Sequence, residues 1–264
     1  MVTEVGLGAM DTPTSPEGAA TLAAAEDAGI NFVDTARDYA GSEFLIGQHV
    51  RNRQAEGRRS TNFQLASKTF SHNINGSQRD IDRSVATLGV DQLPLYQLHD
   101  ISTPEAWAEA QDEDEGALAG LKIAQFRGLI AHIGVSCHNT ALLEELITRG
   151  EFDTVMLEYS AFFTETARLI DLAAEHDVGV IVMRPVGGSG RTSAMRTAIA
   201  DGYDGPLTPR NLLRYVLANP NVAVAIPGAR FPSRVLENVA TAMESPPMTA
   251  GERADLEAEA ARLY

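Results

Sequence analysis

The strongest constraint on the fold is a regular alternation, along the whole chain, of short apolar β-prone runs with helical stretches. The runs are rich in Val, Ile and Leu, which is typical of strands that are covered on both faces. Alternation of this kind favours a parallel sheet, because parallel strands need crossover connections. The predicted strands lie near residues 5–8, 29–33, 63–67, 93–98, 131–135, 154–157, 178–183 and 222–226.

Eight strands in a chain of 264 residues suit a closed (β/α)8 barrel, which typically takes about 250 residues. An open doubly wound sheet is less favoured, because the first strand-to-helix turn lacks a G-x-G-x-x-G pattern. The chain shows no internal repeat and no low-complexity linker. We therefore predict an α/β fold of the TIM-barrel type, with residues 1–264 forming one domain.

Composition narrows the functional classes. The formal net charge is -15, with 21 basic and 36 acidic residues, so we expect neither nucleic acid nor an anionic membrane as partner. No apolar run approaches the ~20 residues that span a bilayer, and the first residues show no signal-peptide pattern. The only cysteine is Cys137, which suits a reducing compartment. These features predict a cytoplasmic protein, as a monomer or a homo-oligomer.

A carboxylate, a phenol, an ammonium and an imidazole occur where three successive predicted strands end. Asp34 and Tyr39 follow the second strand, Lys68 the third, and His99 the fourth. Each residue alone has an ordinary explanation as a turn, core-edge, surface or loop residue. Their joint placement indicates a site, because the carboxyl ends of barrel strands converge on one mouth.

The pattern DTAxxYxGSE at residues 34–43, with Lys68 and His99 further on, resembles the aldo-keto reductase family. The resemblance implies a barrel enzyme that reduces aldehydes or ketones to alcohols with a nicotinamide cofactor. It assigns a catalytic tetrad to Asp34, Tyr39, Lys68 and His99, with Tyr39 as proton donor. In this arrangement we expect Lys68 to lower the pKa of the phenol and Asp34 to keep the ammonium charged. His99 would orient the carbonyl.

The resemblance also implies a nicotinamide site at the ends of strands five to seven. Ser136 matches the serine that is usual there, and His138 or Asn139 would replace the usual asparagine. Two departures from the family are Met156, where glutamine is common, and Met183, where a stacking aromatic residue is common.

After strand eight, a closing motif favours NADPH, with NADH possible. In the family an arginine here contacts the 2′-phosphate and a Glu-Asn pair contacts the adenine, whereas Gly228 replaces a common lysine. The cofactor-binding residues implied by the resemblance are Ser136, Asn139, Arg184, Pro185, Gly187, Ile226, Gly228, Arg230, Arg234, Glu237 and Asn238.

The sequence also gives expectations for the substrate pocket and for the bottom of the barrel. Trp107, Tyr96 and residues 187–206 are expected to wall the pocket, which would favour an aromatic or medium aliphatic carbonyl over a sugar phosphate. The chain starts almost at the first strand, without the hairpin that plugs the bottom in this family. Either the bottom is more open, or another segment covers it.

Two other functions stay open at this point. A metal-dependent barrel lyase or hydrolase would need several carboxylates or histidines at successive strand ends, and only His99, Asp100 and His138 come near that pattern. We predict no metal site. A non-catalytic NADP-binding regulatory subunit is the second alternative, because relatives of the family serve beside ion channels. The complete tetrad favours the reductase.

Overall fold

The computed structural model describes residues 1–57, 61–187 and 202–263. Eight strands pair in parallel in sequence order, and bridges from Val5 to Ala225 and from Gly8 to Gly228 close the sheet into a barrel. The predicted (β/α)8 fold is confirmed. The strands are β1 Leu7–Gly8, β2 Phe32–Asp34, β3 Gln64–Thr69, β4 Leu93–Leu98, β5 Ile130–Ser136, β6 Thr154–Glu158, β7 Gly179–Met183 and β8 Val222–Ala225.

Helices surround the barrel, and side chains cap several of them. Asn73, Thr103, Asn139 and Thr208 each accept a hydrogen bond from a backbone N–H in the first helical turn, as good N-cap residues do. None of the described helices combines the length and apolarity that crossing a bilayer requires. The described helices are α1 Pro16–Asp27, α2 Ser42–Ala55, α3 Ile74–Leu88, α4 Pro104–Ala110, α5 Ala117–Phe126, α6 Thr140–Thr148, α7 Ala167–Glu175, α8 Pro209–Leu217, α9 Pro232–Glu244 and α10 Ala250–Leu263.

The first residues of the chain cover the bottom of the barrel. Val2 packs against the side chains that fill the barrel interior. Thr3 N donates to Asn31 Oδ1 at 2.7 Å, and Asn31 Nδ2 donates to the Met1 carbonyl oxygen at 3.1 Å. Of the two expectations for the bottom, a covering segment is therefore the one observed. The interior residues are Phe32, Ala66, Leu95, Met156, Ile181, Val224 and Ile226.

The turn between β2 and α2 is shaped by Gly41 and Ser42. Ser42 is the first helical residue, and Gly41 is the N-cap with a left-handed φ of 72°. A side chain at Gly41 would meet Thr14 Cγ2 at 2.5 Å, so glycine suits both the backbone and the space. The Ser42 hydroxyl instead accepts from Thr35 Oγ1 at 2.8 Å and donates to the Ala9 carbonyl oxygen at 3.0 Å. These bonds fix the turn that carries Tyr39.

Two aromatic residues expected at the pocket lie elsewhere. Trp107 belongs to α4 and is 2% exposed, and its Nε1 donates to Glu145 Oε1 at 2.8 Å. Tyr96 faces outward from β4, with its hydroxyl 3.1 Å from that of Ser84 on α3. The predicted pocket wall is therefore wrong for both residues. The third part of the predicted pocket wall is residues 187–206, and of these residues 188–201 lie outside the described residues.

An ion-pair cluster joins α1 to α2 on the outside of the barrel. Glu26 accepts from His49 Nε2 at 2.9 Å, from Arg53 Nε at 2.6 Å and from Asn62 N at 3.2 Å. Burial alone would raise the pKa of Glu26, but the bonds from His49, Asn62 and Arg53 outweigh it and lower the pKa to about 2. The cluster therefore favours the folded state wherever Glu26 is ionised.

We expect Glu26→Gln to reduce the free energy of unfolding by ~1 kcal/mol near neutral pH, because the cluster is partly solvated. The folded pKa of about 2 is below the ordinary value of 4.5. The contribution is thus complete above that ordinary value and is lost as the pH falls toward the folded pKa. Denaturant unfolding near neutral pH and near the folded pKa should show the difference shrinking in acid. Asp27→Asn, at an exposed partner of the same Arg53, is the control. An equal difference at both pH values would contradict this account.

Candidate active site

The predicted tetrad comes together at the carboxyl ends of β2, β3 and β4. Lys68 Nζ donates to Asp34 Oδ2 at 2.6 Å and to the Thr35 carbonyl oxygen at 2.8 Å. The other oxygen of Asp34 accepts from Gln97 Nε2 at 3.3 Å. Both charged side chains are buried. Such a pair is stable only when each charge has a partner, and here each has more than one.

Tyr39 lies between the ammonium and the imidazole. Its hydroxyl oxygen is 3.4 Å from Lys68 Nζ and 3.5 Å from His99 Nε2. The rings of Tyr39 and His99 meet edge to face, with their centroids 5.5 Å apart. The ring of Phe70 stacks on that of His99, with their centroids 3.9 Å apart. A phenol and an imidazole this close can both reach one carbonyl oxygen.

Burial sets the protonation states of the charged members. It raises the pKa of Asp34 and lowers that of Lys68, and the charge of each partner opposes the shift. Burial, followed by the charges of Lys68 and His138, lowers the pKa of His99 to about 3. The imidazole is therefore neutral near pH 7. A neutral imidazole carries one N–H, and on Nε2 this proton can be donated to a carbonyl.

The pKa of Tyr39 is raised, whereas the sequence analysis expects Lys68 to lower it. Burial raises the pKa of the phenol, Asp34 and Asp38 raise it further, and Arg184 opposes them. The expected lowering by Lys68 is offset, because Asp34 neutralises the ammonium at 2.6 Å. The phenol consequently stays protonated near neutral pH, in the form that a proton donor needs.

A buried ion pair supports the turn that carries Tyr39. Glu43 in the first turn of α2 is 3% exposed and pairs with Arg37. Its other carboxylate oxygen accepts from Ser67 Oγ at 2.6 Å. The backbone N–H of Arg37 also donates to the Lys68 carbonyl oxygen at 3.2 Å. The turn is thus tied to β3, so Tyr39 and Lys68 are positioned by the same contacts.

A second polar cluster lies at the ends of β5, β6 and β7. Glu158 Oε1 accepts from His138 Nδ1 at 2.8 Å and from Arg184 Nη1 at 2.5 Å. Burial alone would raise the pKa of Glu158, but the bond from His138 and the charge of Arg184 lower it. The sequence predicts strand six at residues 154–157, so Glu158 directly follows a predicted strand, as Asp34 does, but it is not among the predicted site residues. Its place directly after an apolar run was the available signal.

Ser136 and Asn139 hold loops at the mouth. Ser136 Oγ accepts from the Asp100 N–H at 2.8 Å. Asn139 caps α6 by accepting from Ala141 N at 3.0 Å, and its Nδ2 donates to the Ser102 carbonyl oxygen at 3.1 Å. These bonds fix the loops after β4 and β5, and cofactor contacts by either residue stay a prediction.

The turn after β7 contains three further predicted cofactor residues. Arg184 has a left-handed φ of 53°, Pro185 follows it, and Gly187 N donates to the Arg184 carbonyl oxygen at 3.0 Å. Met183 packs against the barrel interior, where Met156 is buried. Of the side chains in this turn, that of Arg184 is the one placed at the polar cluster.

The predicted adenosine end lies beside β8 and the start of α9. Arg234 Nη1 is 2.5 Å from Glu237 Oε2, and Arg230 Nη2 is 3.6 Å from Asp11 Oδ2. Both arginine side chains are more than half exposed. Ile226, by contrast, faces the barrel interior. Two accessible guanidinium groups near a helix N-terminus suit a phosphate. The remaining predicted residues here are Gly228, which bridges Gly8, and the half-buried Asn238.

The chain belongs to the aldo/keto reductase family, whose model matches residues 4–207. It is similar to the uncharacterized oxidoreductase YqkF of Bacillus subtilis, with 24% identity over 91% of this chain and 87% of that protein. It is also similar to morphine 6-dehydrogenase of Pseudomonas putida, with 26% identity over 89% and 80%.

Solved structures of the same fold extend this comparison. The holo form of an aldo-keto reductase from Bacillus halodurans matches with a TM-score of 0.78 and 23% identity, covering 97% of this chain and 92% of that one. An aldo/keto reductase from Klebsiella pneumoniae in complex with NADP and acetate matches with a TM-score of 0.76 and 22% identity, covering 98% and 91%. The predicted family and barrel fold are therefore confirmed, and the chain is an oxidoreductase of this family.

Proposed function

We propose that this protein reduces aldehyde or ketone carbonyls to alcohols with NADPH, and that Tyr39 donates the proton. The observation that carries the proposal is the placement of the Tyr39 hydroxyl 3.4 Å from the Lys68 ammonium and 3.5 Å from His99 Nε2. The carbonyl carbon would accept a hydride, which is the chemistry that NADPH would supply when bound. The developing alkoxide takes its proton from the Tyr39 hydroxyl, and solvent then restores that proton.

Each remaining member of the tetrad has a role that its contacts support. Neutral His99 donates a hydrogen bond to the carbonyl oxygen and orients it. Lys68 lies against the phenol and stabilises the charge that appears as the proton leaves. Asp34 holds Lys68 in its charged form, and Gln97 holds Asp34.

The substrate proposal is an aromatic or medium aliphatic carbonyl rather than a sugar phosphate. Phe70 supports it, because its ring is stacked on His99 and is 44% exposed. An apolar ring beside the group that binds the carbonyl favours an apolar substituent. A sugar phosphate that gave the highest kcat/KM in a panel of carbonyls would contradict this proposal.

A panel of aldehydes, followed by NADPH absorbance, separates the candidate functions. Turnover that persists in a metal chelator supports the reductase. A barrel lyase or hydrolase would oxidise no NADPH, and nucleotide binding without turnover supports a regulatory subunit. Within residues 1–57, 61–187 and 202–263, no three His, Cys, Asp or Glu side chains are grouped as a metal site would require.

Arg234→Ala should raise the Kd for NADPH about tenfold or more and hardly change the Kd for NADH. The reason is the loss of a charged hydrogen bond to the 2′-phosphate, which contributes roughly 1.5–3 kcal/mol. Fluorescence titration measures both constants. Arg262→Ala is a matched control, because Arg262 makes the same i,i+3 pair with Glu259 on α10. Equal losses for both nucleotides would mean that Arg234 does not bind the phosphate. A wild type that prefers NADH would contradict the choice of NADPH.

A further inference from the structure

The main chain of His99 is anchored to both neighbouring strands. Its own N–H donates to the Thr69 carbonyl oxygen at the end of β3, at 2.9 Å. The next N–H, that of Asp100, donates to Ser136 Oγ at the end of β5, at 2.8 Å. These bonds fix the backbone, but they do not set the rotation of the imidazole about its side-chain bonds.

Hydrogen bonds do little to orient the imidazole. Nδ1 of His99 is buried, and no described residue gives it a hydrogen-bond partner. Nε2 lies 3.5 Å from the Tyr39 hydroxyl oxygen, which is longer than the ~2.7–3.2 Å of an ordinary hydrogen bond from nitrogen to oxygen. A functional histidine is often oriented by a hydrogen bond at the ring nitrogen that faces away from the reaction. Another contact must therefore orient the ring of His99.

Two aromatic rings enclose the imidazole. The Tyr39 ring meets it edge to face, with 81° between the ring planes. The Phe70 ring lies nearly parallel to it, with 27° between the planes and 3.9 Å between the centroids. Aromatic pairs of this kind contribute free energy beyond the area that they bury. A rotation of the imidazole would separate the two stacked faces, so the stack resists it.

The turn after β3 holds Phe70 in place. Thr69 Oγ1 donates to Asp80 Oδ2 on α3 at 2.7 Å, and the Ser71 N–H donates to Thr69 Oγ1 at 3.0 Å. The residues on both sides of Phe70 are thus fixed to each other and to α3. The Phe70 side chain is itself 44% exposed, so a substitution there removes the stack with little effect on the barrel core.

We propose that Phe70 is a positioning residue for carbonyl reduction, whose ring holds the His99 imidazole with Nε2 toward the Tyr39 hydroxyl and the carbonyl oxygen. This inference rests on the proposed function. It differs from the apolar contact with substrate described above. A stack that orients His99 acts on every carbonyl alike, whereas an apolar contact acts only on a substrate whose substituent reaches the Phe70 ring.

The first test compares a small and an aromatic substrate, propanal and benzaldehyde, in the full chain with NADPH. Phe70→Leu keeps an apolar side chain that cannot stack. It should lower kcat/KM for propanal about three- to tenfold, as expected for the loss of one aromatic pair, and that for benzaldehyde at least as much. Phe70→Tyr keeps the ring and should retain the wild-type values. A loss confined to benzaldehyde would mean that Phe70 only contacts substrate, and would overturn the inference.

A double-mutant cycle tests whether Phe70 acts through His99. His99→Gln leaves no ring to stack, so adding Phe70→Leu should change kcat/KM for propanal by less than about twofold. The matched control is Phe63→Leu, because Phe63 stacks on His49 outside the barrel with 27° between the ring planes, and kcat/KM should not change. An equal loss with and without His99, or no loss in Phe70→Leu, overturns this inference alone. A wild type that reduces neither aldehyde overturns the proposed function as well.

Discussion

Replacing Tyr39 with Phe should lower kcat for carbonyl reduction by about 10²–10⁴-fold while the Kd for NADPH stays near the wild-type value. The substitution removes the hydroxyl that lies 3.4 Å from Lys68 Nζ and 3.5 Å from His99 Nε2. It leaves the ring and its edge-to-face contact with His99 in place. Steady-state kinetics with an aromatic aldehyde and fluorescence titration of NADPH measure the two quantities.

Tyr96→Phe is the matched control for this experiment. It also deletes one buried tyrosine hydroxyl, but this hydroxyl contacts Ser84 on the outer side of β4. We expect kcat to remain at the wild-type value in this control. If Tyr39→Phe also kept the wild-type kcat, Tyr39 would have to be removed from the mechanism.

Replacing Lys68 with Met should reduce the free energy of unfolding by about 3–5 kcal/mol, because it leaves the buried Asp34 carboxylate without its charged partner. Asp34→Asn combined with Lys68→Met removes both charges. This double variant should recover much of the lost stability, since the desolvated charge is gone. Denaturant unfolding of the single and double variants measures the coupling.

The pH dependence of the Lys68→Met variant provides a second readout. Burial already raises the pKa of Asp34, and Lys68 is the charge that opposes this rise. Without Lys68 the folded-state pKa lies further above the unfolded value, so the variant is least destabilised in acid and loses stability as the pH rises through the folded pKa. A loss of stability that is independent of pH, or a double variant that is no more stable than Lys68→Met, would contradict the ion-pair account.

The barrel and the tetrad could be predicted because neither depends on exact element bounds. Strand–helix alternation determines the fold class, and parallel strands bring their carboxyl ends to one mouth. Asp34, Lys68 and His99 therefore meet even though β2 begins at Phe32 rather than at the predicted Gly29. For this reason, a residue that directly follows a predicted strand can be placed at the site from the sequence alone.

The positions of other residues could not be predicted in this way, because they depend on the direction in which a side chain points. Trp107 and Tyr96 have chemistry that suits a pocket wall, but each is packed between barrel and helices. The rise in the pKa of Tyr39 depends first on the burial of the phenol and then on the nearby charge of Asp34, and neither can be read from a sequence pattern. The Glu158–Arg184 pair depends on a left-handed backbone at Arg184.

Isotope transfer tests the central claim of carbonyl reduction most directly. The purified protein is incubated in a metal chelator with an aromatic aldehyde and NADPH carrying deuterium at the transferable position of the ring, and the product is examined by mass spectrometry. The account predicts an alcohol with one deuterium on the former carbonyl carbon, formed by the wild type and hardly at all by Tyr39→Phe. Absence of the alcohol, or an alcohol without deuterium, would contradict it.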